Sequence, residues 1–335
     1  MTGIIITCNA GSSNTKLALF EAETLARTAN LQTHNETETM AWLCSVGQEK
    51  ISAIGHRVVH GGDKFTESTI ITPEIISELE KFIPLAPLHQ PAALKLIAEV
   101  AALYPNVPQI ACFDTAFHHT MPEIEKHFAL PNNYYADGIK RYGFHGLSYQ
   151  YIASILPEHL GEKATGRVIV AHLGNGSSIC AMKNLQSVAS TMGFSTLDGL
   201  MMGTRCGALD AGVILHLLQH KKMSVDEVTK LLYKNSGLLG VSGISADMRE
   251  LLASDKPEAH DAVELYCYLA AKQLCNLLPA IGGIGALVFT GGIGEHAEPI
   301  RQKICSHLKW LGDFPIYAIP TNEEIVIARS CRENI

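Results

Sequence analysis

"IIITCNAGSSNTKLALF" (residues 4–20) sets two apolar runs around a turn made almost wholly of small polar residues. A second stretch, "RVIVAHLGNGSSICAM" (residues 167–182), follows the same plan: an apolar strand, a turn containing Asn, Gly and two serines, and a second apolar strand. A weaker echo follows each, because "QIACFDTAFHH" and "GALVFTGGIGEHA" are both strands ending in a polar or glycine-rich elbow. Either the chain holds two structurally related halves, or two hairpins have converged on good turn residues. In the first turn, Gly11 and the small side chains of Ser12 and Ser13 let backbone N–H groups point inward, where with the hydroxyls and Lys16 they can surround phosphate oxygens. Two such turns can clamp one polyphosphate. "TGGIGEH" adds a third glycine-rich site ahead of a helix expected to start near Pro299.

The rest of the sequence narrows the class. With 335 residues, 47% of them apolar and 18% charged, the chain can bury a substantial core, and its length suggests two domains. A net charge of −7 and the lack of any Lys/Arg block give no general attraction to nucleic acid or to an anionic membrane, so a bound anion must be gripped locally. Nine cysteines, scattered singly and without a CxxC pair, argue against a disulfide framework and against structural zinc. The opening residues run straight into a strand without a basic leader, and no apolar stretch reaches membrane-spanning length without turn signals. A cytoplasmic protein is the expectation.

Apolar spacing predicts strands over residues 3–8, 16–20, 51–59, 108–113, 167–173, 178–182, 286–290 and 315–319. It predicts helices over 73–82, 91–103, 148–156, 208–219, 224–234, 258–278 and 298–310, so the class is mixed α/β. No phosphate loop of the GxxxxGK type occurs, and "GGIG" lacks the spacing of a Rossmann fingerprint, so any nucleotide site is of another type. The remaining polar signals sit at strand ends or turns: Arg57 in "GHRVVHGG", Asp114 in "CFDTAFHH", His145 in "YGFHG" and Arg205 in "MGTRCG". Singly, each has a bland reading as a solvated or structural residue, and His118 with His119 reads as a surface pair rather than a metal site. Together, two arginines, a histidine, a carboxylate and three phosphate-type turns describe a site that moves a phosphoryl group between anions.

Ten motifs in order, "NAGSSNTK", "GHRVVHGG", "PLHQP", "FDTAFH", "YGFHGLS", "HLGNGSS", "MGTRCG", "SGISADMRELL", "GGIGE" and "PTNEE", give the chain a near end-to-end resemblance to the short-chain carboxylate kinases of the acetate/propionate kinase family. The resemblance implies the two-domain duplicated α/β fold shared by acetate and sugar kinases, heat-shock chaperone ATPases and actin. It also implies a homodimer. One domain is expected to comprise residues 1–118 plus 322–335 with the first phosphate turn, and the other residues 119–321 with the nucleotide site and a dimer surface.

Carried over by position, Asn9 and Glu323 resemble the magnesium-associated residues, with manganese as a substitute ion, and Lys16, Ser12 and Ser13 the phosphate-side residues. Arg57 resembles the arginine for the substrate carboxylate, and Val59, Leu88 and Phe144 the acyl pocket, with His89 beside it. His145 and Arg205 match the transition-state stabilisers and Asp114 the essential carboxylate. His172, Leu173, Gly174, Asn175 and Gly176, then Asp247, Met248 and Arg249, then Gly291, Gly292, Ile293, Gly294 and Glu295, match the ATP-binding stretches. The implied reaction is in-line transfer of the γ-phosphoryl of ATP to acetate, giving ADP and acetyl phosphate, with no general base needed for an ionised acceptor. Asp114 is therefore expected to set geometry or hold magnesium-bound water. The alternatives are a propionate or butyrate kinase and a non-catalytic ATP-binding module of the same fold.

The chain departs from the family's pattern by being several dozen residues shorter than usual members, compacted around residues 21–45 and 311–318. It also departs at Thr196, where many relatives carry a pocket proline, and at Ala208, where many carry an aspartate.

Overall fold

The structure, a computed structural model, describes residues 3–11, 14–32, 36–47, 51–87 and 89–335. The chain divides into two compact units. The first comprises Met1–His119, His145–Tyr151 and Asn322–Ile335, and the second comprises Thr120–Phe144 and Ile152–Thr321. The sequence-based division placed 145–151 in the second domain. These residues join the first unit because Leu147 packs into its core and the Gly146 N–H donates to the Asp114 carbonyl at 2.9 Å.

The first unit is built on a sheet of β1 (Ile4–Ala10), β2 (Asn14–Glu21), β3 (Thr24–Gln32), β4 (Ile51–Val58), β5 (Thr69–Ile70) and β6 (Gln109–Phe113), in the order β3-β2-β1-β4-β6-β5. β1, β2 and β3 form an antiparallel meander, while β4 runs parallel to β1 and β6 parallel to β4. The second unit's sheet contains β7 (Val168–Leu173), β8 (Ser177–Lys183), β9 (Gln186–Ser190), β10 (Ala286–Thr290) and β11 (Ile316–Ala318), in the order β11-β10-β7-β8-β9. It repeats the plan: a meander of β7, β8 and β9, then β10 parallel to β7 and β11 parallel to β10. The two quoted stretches thus occupy matching places, β1–β2 and β7–β8. The weaker echo was paired wrongly, since β10 takes the place of β4, whereas "QIACF" forms β6 one strand further out.

Successive residues of β1 feed opposite faces of the first sheet, as the two-residue strand period requires. Ile5 packs with Phe20, Ala53, Ile110 and Cys112 against Ile325, Ile327 and Cys331 of the helix Glu323–Glu333. Ile6 and Cys8 pack with Leu17 and Ile54 against Trp42, Leu43, Leu96 and Tyr104. Gly55 makes the first of these layers thin, because a Cβ there would lie 2.3 Å from Ile327 Cγ2 and 2.6 Å from Cys331 Sγ. In the second unit the helix Pro257–Ile281 buries Ala259, Val263, Tyr266, Ala270 and Leu274 in a core shared with β7, β8 and β10.

Several elements were not foreseen: β3, β5 and β9 and the helices Glu36–Cys44, Gly291–His296 and Glu323–Glu333. β3 is exposed at Thr24–Thr28, so it lacks the apolar alternation that marks a half-buried strand. The elbow after β10 turns helical at once, ahead of the second helix Glu298–Ser306 that the sequence placed near Pro299. No helix among the described residues is long and apolar enough to cross a membrane.

Two histidines are sealed into the first unit near the end of β4. His56 and His60 are 2% and 0% exposed, and burial pushes both imidazoles down to about 4. His60 Nδ1 also accepts the Gly62 N–H at 3.0 Å, which requires that nitrogen to be unprotonated. Unfolded histidine titrates near 6.5, so between about pH 6.5 and 4 the unfolded chain binds protons that the folded chain refuses, and stability falls as pH falls. The steepest contribution from the pair is about 2.7 kcal/mol per pH unit. Urea unfolding across this range should show the loss, and His56→Gln should flatten its slope by about half; equal slopes in the two proteins would remove His56 as its source.

Candidate functional site

The first unit concentrates polar groups where β1, β4 and β6 end. Asp114 follows β6 directly, and its N–H donates to the Val58 carbonyl at 3.1 Å, extending the parallel ladder by one step. Arg57, on β4 opposite Cys112, forks onto the Asp114 carboxylate with Nε 2.9 Å from Oδ1 and Nη2 2.5 Å from Oδ2. Arg57 Nη1 also donates to Asn9 Oδ1 at 3.2 Å. The Asn9 amide nitrogen donates in turn to Glu323 Oε2 at 2.8 Å and Glu324 Oε1 at 3.2 Å, the first two residues of the C-terminal helix. Lys16, opposite Asn9 on β2, lies 3.7 Å from Glu324 Oε1. One network therefore links Asp114, Arg57, Asn9, Glu323, Glu324 and Lys16.

The Asp114 and Arg57 side chains are 1% and 13% exposed. Burial raises the Asp114 carboxyl above its ordinary range, against the opposing pull of Arg57 and of the His145 N–H that donates to it. Burial also works against the Arg57 charge, but Asp114, with Glu323 and Glu324 beyond it, holds the guanidinium above its usual value. The pair is ionised at neutral pH, because a guanidinium does not give up its proton and the paired N–H donors satisfy a carboxylate. His145 meets Asp114 at a backbone cost: its φ is 58°, in the left-handed region. Gly146 follows because a Cβ there would lie 2.1 Å from the Asp114 carbonyl oxygen.

The second unit gathers its own stretches around the ends of β7 and β10. His172 pairs in register with Thr290, and the space over Gly291 is filled by the Leu173 backbone, its oxygen 2.8 Å from where a Cβ would stand. The "HLGNG" turn and the "GGIG" elbow are therefore neighbours. A Cβ on Gly203 would meet Asn175 Oδ1 at 2.4 Å and the Ala246 carbonyl at 3.2 Å, so "MGTRCG" and the 245–247 loop converge on the same turn. Arg205, 7% exposed, donates from Nη1 to the Thr196 carbonyl at 2.8 Å.

Other expected residues are placed less directly. Leu173 and Met248 are buried in the second unit's core. Glu295 Oε1 accepts from the Gly291 and Thr321 amides, each at 3.0 Å, which commits the carboxylate to backbone. Asp247 caps the helix Met248–Leu252 and pairs with Arg249 at 2.5 Å. Val59 and Phe144 are 2% and 1% exposed, and His89 precedes the helix Gln90–Leu103. Ser12, Ser13 and Leu88 lie outside the described residues. The sequence reading missed Glu324 as a partner of Asn9 and Lys16; the doubled glutamate of "PTNEE" was its only signal.

Comparison with known proteins follows the same lines. The model of the acetokinase family matches residues 30–314. An acetate kinase of Rhodopseudomonas palustris is 46% identical over 388 aligned positions, covering 98% of each chain, and that alignment is longer than this chain. Among solved structures, an acetate kinase from Porphyromonas gingivalis superposes with a TM-score of 0.88 at 33% identity, covering 99% of both chains. A propionate kinase from Francisella tularensis gives 0.90 at 34% identity, covering 99% of this chain and 100% of its own. The fold alone extends to a putative N-acetylmannosamine kinase from Listeria monocytogenes, with a TM-score of 0.53 at 12% identity over 98% of this chain and 99% of its own.

The buried fork gives a stability prediction. Removing one partner of a buried ion pair costs about 3–5 kcal/mol, because the other charge stays buried and uncompensated. Asp114→Ala should lose that much in urea denaturation, and the double variant Arg57→Met/Asp114→Ala should lose less than Asp114→Ala alone. Simple additivity of the two losses would mean that the fork is not the interaction being removed.

Proposed function

The chain belongs to the acetokinase family, and from that premise we propose that Arg57 receives the acetate carboxylate while the γ-phosphoryl group of ATP is transferred to it in line. The protein is a kinase with a carboxyl group as acceptor, and ATP and ADP are its nucleotide substrates. The observation that carries the assignment to Arg57 is its set of partners. Asp114 and Asn9 engage Nε and one N–H on each Nη; among the described residues the second N–H on each Nη is left to receive a planar carboxylate.

Asp114 then orients Arg57 and takes no proton, since its oxygens already accept from Arg57 and from the His145 amide. His145 and Arg205 are assigned to the transferring group, where a loose transition state spreads charge over the equatorial oxygens. Asn9, Glu323 and Glu324 supply an amide and two carboxylates within one network, the oxygen-rich set that a hard cation takes alongside water and phosphate. Asn9, Glu323 and Glu324 would hold magnesium there, and the ion would supply positive charge that offsets the charge of the phosphates.

A homodimer is part of the proposal. The helix Ala211–Gln219, "AGVILHLLQ", buries none of its residues, and Leu209, Val213 and Leu215 are 41%, 41% and 53% exposed. An apolar helix left uncovered on one chain fits a face that a second copy covers.

A coupled assay of ADP formation across formate, acetate, propionate and butyrate tests the function. Acetate should give the highest kcat/KM, and no turnover with any acid would overturn the reading. Arg57→Ala should cost acetate use about 2–3 kcal/mol, the scale of a lost charge-assisted contact, with ATP binding little changed. Unaltered acetate kinetics would remove Arg57 from the site.

A further inference from the structure

Arg205 does not hold its position alone. Its Nη1 donates to the carbonyl of Thr196, which lies in the middle of the segment 191–199. That segment is tied at its start, where Thr191 and Ile179 of β8 exchange two hydrogen bonds, each 2.9 Å. It is tied again where it closes: Gly199, at φ 90°, sits against the Thr191 backbone, and its carbonyl accepts from the Ala208 N–H at 2.9 Å. Between these ends, the Tyr142 N–H donates to the Gly193 carbonyl at 3.0 Å, and Arg141 Nη1 meets Asp198 Oδ2 at 3.1 Å. Arg141 is itself fixed. Its guanidinium lies 4.6 Å over the Phe128 ring, and its N–H donates to the Lys126 carbonyl at 2.8 Å.

We propose that Arg141 and Asp198 are positioning residues for Arg205. Their ion pair pins the 191–199 segment so that the Thr196 carbonyl stands where it fixes one edge of the Arg205 guanidinium. The proposal rests on the assignment of Arg205 to the transferring phosphoryl group. A backbone carbonyl on a loop makes a precise anchor only if the loop cannot shift, and the Arg141–Asp198 pair bridges the span between the two tied ends. Gly193 is part of the device, because a Cβ there would stand 2.6 Å from Asp198 Oδ2 and 2.8 Å from Arg141 Nη1. The two charged side chains are each 33% exposed, so the pair adds little to folding stability, and its effect is geometric.

The geometry separates positioning from simple structural support. A small misplacement of a group that acts in the transition state is enough to cost one to two powers of ten in rate. Asp198→Asn should therefore lower kcat about tenfold, leave the KM for ATP within about twofold, and leave the thermal midpoint nearly unchanged. Gly193→Ala, which keeps both charges but intrudes between them, should do the same. The decisive measurement is a double-mutant cycle with Arg205→Leu. If the pair acts through Arg205, Asp198→Asn should change kcat by less than about twofold in the Leu background. An equal loss in both backgrounds, or no loss in the wild-type background, would overturn the proposal. Near-normal kcat for Arg205→Leu itself would instead overturn the assignment of Arg205, and the clamp proposal with it.

Discussion

The fork between Arg57 and Asp114 is the constraint on which the first unit's polar end depends. Two charges out of water are tolerated only where the geometry is good and the remaining donors and acceptors are met. Here that condition reaches into the backbone. Asp114 must extend β6 by one ladder step to stand beside Arg57 on β4. The His145 N–H must reach the same carboxylate, which holds His145 at a left-handed φ and leaves no room for a side chain at the next position. Asn9 stands on β1, adjacent to β4, so its amide oxygen meets the outer nitrogen of Arg57. A slip of one residue in any of these strands would turn the corresponding side chain to the other face.

The same network depends on a helix packed from below. The C-terminal helix delivers Glu323 and Glu324 to Asn9 because its apolar side, Ile325, Ile327, Ala328 and Cys331, lies flat on the sheet. Gly55 permits that approach, since Ile327 and Cys331 occupy the volume a side chain would take. An uncharged residue in the middle of β4 therefore sets the position of two carboxylates. Asn322 starts the helix at the right place, its side chain accepting the Ile325 N–H at 3.0 Å.

These dependencies explain what the sequence disclosed. The two strand–turn–strand stretches were legible because buried strands around polar turns have a strong pattern, and they proved to be matching parts of two sheets with one order. The edge strand β3 was not, because Thr24–Thr28 are all exposed and only Ala29 and Leu31 turn toward the core. The final helix had its signals in plain view: an Asn cap, two acids in the first turn and an arginine in the last. The proline and threonine ahead of these signals read as a turn, which masks the helix start. Arg57, Asp114, Asn9 and Glu323 were each picked out as residues, and the structure joins them in one network. Glu324, Arg141 and Asp198 were not, since no turn or strand-end pattern in the sequence marks them, and their contacts, like those of the other four, form only in the fold.

The charge balance resolves a tension in the composition. A chain with net charge −7 has to hold a nucleotide and a carboxylate, both anions, without a basic block anywhere in its sequence. The structure meets this by giving the acids of its functional stretches positive or donor partners. Asp114 is matched by Arg57, Glu324 by Lys16 and Asp247 by Arg249, while Glu295 is held by two backbone amides. What these acids present outward is therefore weaker than their formal charge, because much of each carboxylate's field is cancelled within a few ångströms by its own partner. Repulsion of an incoming anion is reduced locally, residue by residue, and the net negative charge of the whole chain carries little weight where the chemistry takes place.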